Sequence, residues 1–436
     1  MRISNIGAGI IGVTTAYELA ADGHEVTVYE RNAHVAGETS FANAGVIAPG
    51  YVTPWAAPGM PWKVLRHSFG THAPVRFGGA NALAHLPWMW RWWRACRPAV
   101  YQANRSRMHT LATYSRQRLH ALTQSLQLDY ERSTGYLVLL RGERERSQAD
   151  AAMRMLRELG VHFDLLDAAQ CRLLEPGLSA DTPLLAAIGL PGDEVGNCRQ
   201  FAQLLKAAAQ HRGARFLFGH RVLALTPGTQ PRVSAQELAS EANATPRRPA
   251  PPGQALDTAF DAVVVCAGAQ ANTLLAPIGC KLPIIPVHGY SVTAPLQHRD
   301  GFPSPGPLGA VMDEKYKVAV SRLGQRVRVA GSAEIGGAAD RFNPAAMATL
   351  YKVLNDWFPG AARLSQAQRW KGARPMLPDG PPVLGRSSAK GIWLNLGHGS
   401  SGWALSCGSA RVLADVLAQR EAAIDLSGLG LDRLES

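Results

Sequence analysis

Residues 3–30 decide how this chain is read. They run Ile3-Ser4-Asn5-Ile6, then Gly7-Ala8-Gly9-Ile10-Ile11-Gly12, then a helical stretch to Ala21, then Glu25-Val26-Thr27-Val28-Tyr29-Glu30. The pattern is strand, glycine turn, helix, strand. Gly7 permits the tight turn, Gly9 lets a pyrophosphate approach the backbone, and Gly12 lets the helix lie close to the sheet. The helix start offers unpaired N–H groups and a partial positive charge to phosphates. Glu30 ends the second strand, where a carboxylate accepts hydrogen bonds from ribose hydroxyls. Ile6, Gly7, Gly9, Ile10, Ile11, Gly12, Glu30 and the adjoining Arg31 are therefore candidate dinucleotide contacts. Asn5 stands where a buried parallel strand carries an apolar residue, so it requires a hydrogen-bonding partner.

Working outward, the loop Glu38-Thr39-Ser40-Phe41-Ala42-Asn43-Ala44-Gly45 is small and hydroxylic. Its place just past the ribose-binding acid favours contact with the rest of a dinucleotide, through Thr39, Ser40, Asn43, Ala44 and Gly45. Residues 260–268 read as a fully buried strand ending in small residues. Residues 391–396 read as another strand, followed by Gly397-His398-Gly399-Ser400-Ser401-Gly402-Trp403 and a helix to Arg420. This second glycine turn presents another positive helix end.

Between these landmarks the apolar pattern predicts helices over 105–128, 141–159, 199–210 and 344–357. Strands are expected at 135–140, 215–218, 222–225, 289–294, 317–321 and 327–331. Residues 241–255 are rich in Ala and Pro without apolar periodicity and read as a flexible insertion.

The chain of 436 residues is long enough for two or three domains, and its apolar share of 46% is that of a globular protein. No apolar run approaches ~20 residues, which excludes an apolar helical span. The first strand starts almost at Met1, so no signal peptide is expected before it. Cys96, Cys171, Cys198, Cys266, Cys280 and Cys407 lack CxxC or metal-like spacing. Reduced, mostly buried thiols in a cytoplasm-facing setting follow, and no metal site is expected. The net charge of +12 suits anionic partners. No helix-turn-helix, zinc or RNA-binding signature accompanies it, so no nucleic-acid partner is expected. An anionic membrane surface and a merely solvated basic surface both remain open. Pro87-Trp88-Met89-Trp90-Arg91-Trp92-Trp93-Arg94 likewise has two readings, an interfacial helix or a core helix.

Taken together, GAGIIG with Glu30, ETSFANAG, PGYVTPWAAPG and the segment Trp370-Lys371-Gly372-Ala373-Arg374-Pro375-Met376-Leu377-Pro378-Asp379-Gly380 resemble the flavin-dependent D-amino acid dehydrogenases of small-subunit type. That family lies within the D-amino acid oxidase and glycine oxidase superfamily. The resemblance implies an α/β fold, with a Rossmann-like FAD-binding domain interleaved with an α+β substrate domain on an antiparallel sheet. It assigns 1–80, 150–225, 258–285 and 370–436 to the FAD domain, and 81–149, 226–257 and 286–369 to the substrate domain. It further implies non-covalent FAD, with a backbone contact near Val222, small residues Ala267 and Gly268 beside the cofactor, and the Gly397–Gly402 turn at the flavin ring.

Arg374 aligns with the carboxylate-binding arginine of the superfamily, and its planar fork suits that task. Tyr316 and Tyr290 are candidates for a second carboxylate contact, each with a core-aromatic alternative. His398 is expected to contact the ring or lie beside it, as a catalytic-site residue that need not be a base. The implied reaction is oxidation of a D-amino acid by hydride transfer from Cα to FAD N5, giving a 2-oxo acid and ammonia, with electrons passed to a quinone or other acceptor. Alternatives are a D-hydroxyproline dehydrogenase, a glycine or sarcosine oxidase, a non-catalytic flavoprotein partner and an NAD-linked reductase.

Overall fold

A computed structural model of the chain describes residues 1–67, 70, 72–78, 84–238, 254–297 and 306–434. The opening stretch folds as β1 (Arg2–Ile6), α1 (Ile10–Ala21) and β2 (Glu25–Glu30). These strands join a six-stranded sheet in the order β18 (Val383–Arg386), β19 (Ile392–Leu396), β12 (Ala262–Val265), β1, β2 and β8 (Arg215–Phe218). β1 runs parallel to both β12 and β2, which places Asn5 between Val264 and Val28. Its partners are the glycine turn itself. Asn5 Nδ2 donates to the carbonyls of Gly7 (3.2 Å) and Gly12 (3.1 Å), and Oδ1 accepts from Cys266 Sγ (3.3 Å). The polar residue in the apolar strand is thus a clamp on the turn.

One face of this sheet carries α1, α7 (Cys198–His211) and α10 (Gly402–Leu417), packed around Val13, Leu19, Phe201, Leu205 and Leu413. The long helix α4 (Pro98–Leu126) lies across α10, with Met108, Leu111 and Ala112 against Leu405 and Val412. Glu18 of α1 is fully buried beneath it, bound by Arg118 (2.6 Å) and Arg411 (2.9 Å). Arg411 also holds Asp22 and Asp415. The other face is covered by α8 (Ala271–Leu275) and a three-stranded sheet of β9 (His220–Thr226), β10 (Arg232–Glu237) and β11 (Leu256–Ala259).

The second sheet has ten strands. Its path runs β17 (Gln368–Met376), β13 (Ile285–Pro295), β16 (Arg326–Ile335), β15 (Val318–Leu323), β14 (Ala310–Asp313), β5 (Ser133–Leu140), β7 (Ala186–Val195) and β3 (Val46–Ile47). β4 (Val75–Phe77) adds to β16, and β6 (Asp164–Asp167) to β7. Alternation sorts its residues. Val292, Val320 and Val329 pack under α9 (Pro344–Trp357) and beside α6 (Ala168–Leu174), while Ser291, Ala319 and Ala330 turn the other way. α5 (Glu143–Glu158) covers Val138 and Leu140. α2 (Met60–His67) and α3 (Leu86–Ala95) close the end beside Ile285, Val287 and Met376.

β3, β4, β6 and β7 fall in stretches assigned to the FAD domain, and β17 straddles its boundary, yet all five pair into the large sheet. β10 and part of α4 fall in stretches assigned to the substrate domain but pack on the dinucleotide sheet. A strand's own composition does not say which sheet's edge it joins. The insertion at 241–255 lies outside the described residues except for its last two. The tryptophan segment is divided between two faces of α3. Trp88 and Trp92, one turn apart, are buried, whereas Trp90 and Trp93 are 59% and 51% exposed. All six cysteines are buried.

Glu18→Ala leaves Arg118 and Arg411 facing a buried void. The expected cost is about 3–5 kcal/mol, read as a lowered midpoint in urea or thermal unfolding.

Candidate functional site

A cavity of about 1160 Å³ separates the two sheets, and both glycine turns open onto it. At the first, Gly7 has φ +101°, and a Cβ there would lie 2.9 Å from the Cys266 carbonyl oxygen. A Cβ on Gly12 would lie 1.8 Å from the Gly7 carbonyl oxygen. Gly12 therefore lets α1 pack directly on the turn. Gly9 is the open position: a Cβ there would meet only Ser40 Oγ, at 3.5 Å. The wall continues through Ile6, Ile10 and Ile11.

Glu30 is buried at the cavity edge and fixed through both oxygens. Oε2 accepts from the Ala8 N–H (2.7 Å), and Oε1 accepts from the Asn32 backbone N–H and Nδ2 (2.8 Å each). One lone pair of Oε2 is left for a ribose hydroxyl. Arg31 binds Glu38 at 2.6 Å and also reaches Gln270. Val222, Ala267 and Gly268 line the same region.

The 39–45 loop is stitched between the sheets. Ser40 Oγ accepts from the Ile10 N–H (3.0 Å), and Thr39 Oγ1 donates to the Ala373 carbonyl (2.7 Å). Arg328 donates to the Asn43 carbonyl (2.9 Å), Ser321 to that of Ala44 (2.7 Å), and Trp403 to that of Gly45 (3.1 Å). Asn43 Oδ1 closes the loop by accepting from the Gly45 N–H at 3.0 Å.

At the second turn, Gly397 and Gly399 take φ values of +79° and +55° before α10 begins at Gly402, and Ser400 and Ser401 line the cavity with them. His398 is buried, with Nε2 3.0 Å from Ser409 Oγ. Burial pulls its pKa down to about 3, so it is neutral and serves as no base at neutral pH. Met376, bridged to His398, accepts at its carbonyl from Trp88 Nε1 (3.1 Å), which ties α3 to the turn.

Arg374 enters from β17 and lies across β13. Its guanidinium occupies the space a side chain at Gly289 would need: a Cβ there would be 2.3 Å from Nη2. Nη1 donates to the Ser332 carbonyl at 2.9 Å. No carboxylate pairs with Arg374 among the described residues. Burial pulls its pKa down to about 10, which still leaves it a cation at neutral pH. A partly buried cation facing a cavity without a counter-charge suits an anionic ligand.

The tyrosines differ from expectation. Tyr316 is off the cavity, its ring under the Arg141 guanidinium (5.1 Å) and against His72 (5.7 Å) on the α9 side of the sheet. It follows the β14–β15 turn, which carries it to the outer face. Tyr290 borders the cavity, but its hydroxyl donates to Glu334. Tyr51 and Tyr136 also line the cavity, and no described side chain or backbone group bonds either hydroxyl. Sequence reading passed over both. Tyr51 lay in a recognised segment without a role, and Tyr136 in an apolar strand. With Leu137 and Leu139 as apolar as Val138 and Leu140, the strand carries no signal of which face holds Tyr136. Trp370, stacked on Phe41 at 4.2 Å with an unpaired buried Nε1, is a further missed wall residue.

Two helix starts, an open Gly9, a fixed buried acid and an uncharged second turn make a cradle that fits a flavin dinucleotide. Fold and site define a flavin-dependent oxidoreductase, and the chain belongs to the FAD dependent oxidoreductase (DAO) family, whose sequence pattern it matches over residues 6–416. It is 44% identical to a D-amino acid dehydrogenase of Cereibacter sphaeroides, over 99% of this chain and 95% of that one. It is 40% identical to a D-amino acid dehydrogenase of Vibrio cholerae, over 99% and 98%. In fold it is similar to glycine oxidase from Geobacillus kaustophilus, with a TM-score of 0.73 at 22% identity over 98% and 97% of the two chains. The L-proline dehydrogenase of P. horikoshii gives a TM-score of 0.71 at 18% identity, over 100% and 97%.

Gly12→Ala forces the α1 start away from β1. The variant is expected to purify with less than half the FAD per chain, measured by flavin absorbance against protein concentration.

Proposed function

We propose that this chain is a D-amino acid dehydrogenase, oxidising D-amino acids to 2-oxo acids and ammonia. The observation that carries this reading is the unpaired Arg374 guanidinium over Gly289, set in a flavin cradle. The full-length likeness to D-amino acid dehydrogenases supports it.

FAD, when bound, supplies the hydride acceptor. The chain supplies orientation. Glu30 and the first turn hold the nucleotide half, and the second turn with the α10 N-terminus lies where the ring belongs. Arg374 grips the α-carboxylate bidentately, which fixes the Cα hydrogen relative to the ring. Tyr290 serves by holding Glu334, which also accepts from Asn343 Nδ2 at 2.9 Å and so ties down the loop bordering the cavity at Gly337 and Ala339. Neutral His398 leaves the amine proton to solvent. The FAD-binding residues are those of the two turns, the 39–45 loop, Val222, Ala267 and Gly268, and FAD is held non-covalently.

For the acceptor, the reading is a quinone reached at the cytoplasmic face of a membrane. Leu86, Trp90, Trp93 and Trp62 present apolar surface on α2 and α3, with Trp62 71% exposed. No acidic residue occurs between Glu38 and Asp129, while Arg66, Arg91, Arg94 and Arg97 flank these tryptophans. Indole rings beside arginines suit an anionic lipid surface. No helix among the described residues is long and apolar enough to cross a membrane.

Anaerobic D-alanine is expected to bleach the flavin, and quinone to restore its colour. Arg374→Lys is expected to lower kcat/KM about a hundredfold, and Gly289→Ala to do likewise with flavin content intact. A flavin that D-amino acids do not bleach contradicts the reading. Separately, the wild type is expected to sediment with phosphatidylglycerol vesicles and not with phosphatidylcholine ones. The Trp90→Glu/Trp93→Glu double variant should lose about tenfold in that binding.

A further inference from the structure

Tyr51 and Tyr136 meet edge to face, ring centroids 5.8 Å apart, at the β5 end of the cavity. Tyr136 is almost wholly buried among Ile188, Leu190 and Ala310, yet neither its hydroxyl nor that of Tyr51 has a hydrogen-bonding partner among the described residues. Two phenol hydroxyls that open onto a cavity wall with no protein partner are free to bond a ligand there.

The floor between Arg374 and this pair is made of Gly331, Ala330, Ala319 and Met312. The first three are small and leave a channel. From β16, where Arg374 is anchored, to β5 is three strand steps through β15 and β14. That is about 14 Å, on the order of a carboxylate, Cα and a side chain of three or four atoms with a hydrogen bond at each end.

Two acids stand behind this far end, outside the cavity lining. Glu314 Oε2 and Asp193 Oδ2 are buried without partners, although Glu314 pairs outward with Lys317 and Asp193 with Arg116. Burial, and then these carboxylates, push both phenols up, so both hydroxyls stay protonated. A side chain ending in a neutral N–H donor is favoured there, and one ending in a carboxylate is repelled.

The geometry points to a side-chain pocket for the substrate: Arg374 holds the α-carboxylate while Tyr51 and Tyr136 hydrogen-bond a neutral polar group at the other end, of the kind carried by D-glutamine. This rests on the D-amino acid reading above. It makes Tyr51 and Tyr136 specificity-determining residues.

The test is the kcat/KM of the FAD-loaded full chain for D-glutamine, D-glutamate and D-alanine, in wild type, Tyr51→Phe and Tyr136→Phe. Phenylalanine removes only the hydroxyl, which has no protein partner to lose. The expected result is a wild type that prefers D-glutamine to D-glutamate at least tenfold. Each variant should lower the D-glutamine to D-alanine ratio about five- to tenfold. A purely structural role would lower both substrates together and leave the ratio unmoved. Bleaching by D-alanine with an unchanged ratio in both variants, or equal use of D-glutamate, overturns the pocket alone. A wild-type flavin that no D-amino acid bleaches overturns the preceding reading and this one with it.

Discussion

A guanidinium held partly out of water with no carboxylate beside it is the constraint around which the substrate side of this molecule is arranged. Such a cation is expensive unless a ligand completes it. Arg374 is placed there by backbone alone: a carbonyl on β16 fixes one nitrogen, and the missing side chain at Gly289 leaves the room. The neighbouring floor of Ala and Gly residues keeps other side chains away from it. The enzyme keeps its charge available by denying it a partner.

The nucleotide side obeys the opposite rule, since the side chains that shape it are already held by the protein. Glu30 accepts three hydrogen bonds, and Asn5 binds both ends of the glycine turn. The 39–45 loop is held through its carbonyls by Arg328, Ser321 and Trp403, which leaves amide and hydroxyl groups toward the cavity. One half of the cavity is therefore preorganised by saturation, the other by vacancy.

Much of this was legible in the chain. The first turn, Glu30, the second turn and Arg374 are local signatures, each readable from a short run of residues with its own chemistry. What stayed hidden depends on long-range pairing. Tyr136 stands on strand β5 and Tyr316 in the turn between β14 and β15, and only the paired sheet shows that the first reaches the cavity and the second does not. The same holds for β10 and β17, whose sheet is set by the edge they find and not by their composition. Gly289 gave no signal because its meaning lies in an arginine 85 positions away, a pairing made by β13 against β17.

Both positive helix ends that embrace the cofactor belong to one cradle, yet one starts at Ile10 and the other at Gly402. A ribosome must therefore deliver the chain past Gly402 before that cradle closes. Nascent chains shorter than this carry half a site and an uncovered face of α1, since Leu413 and Ala414 of α10 are still missing from its core.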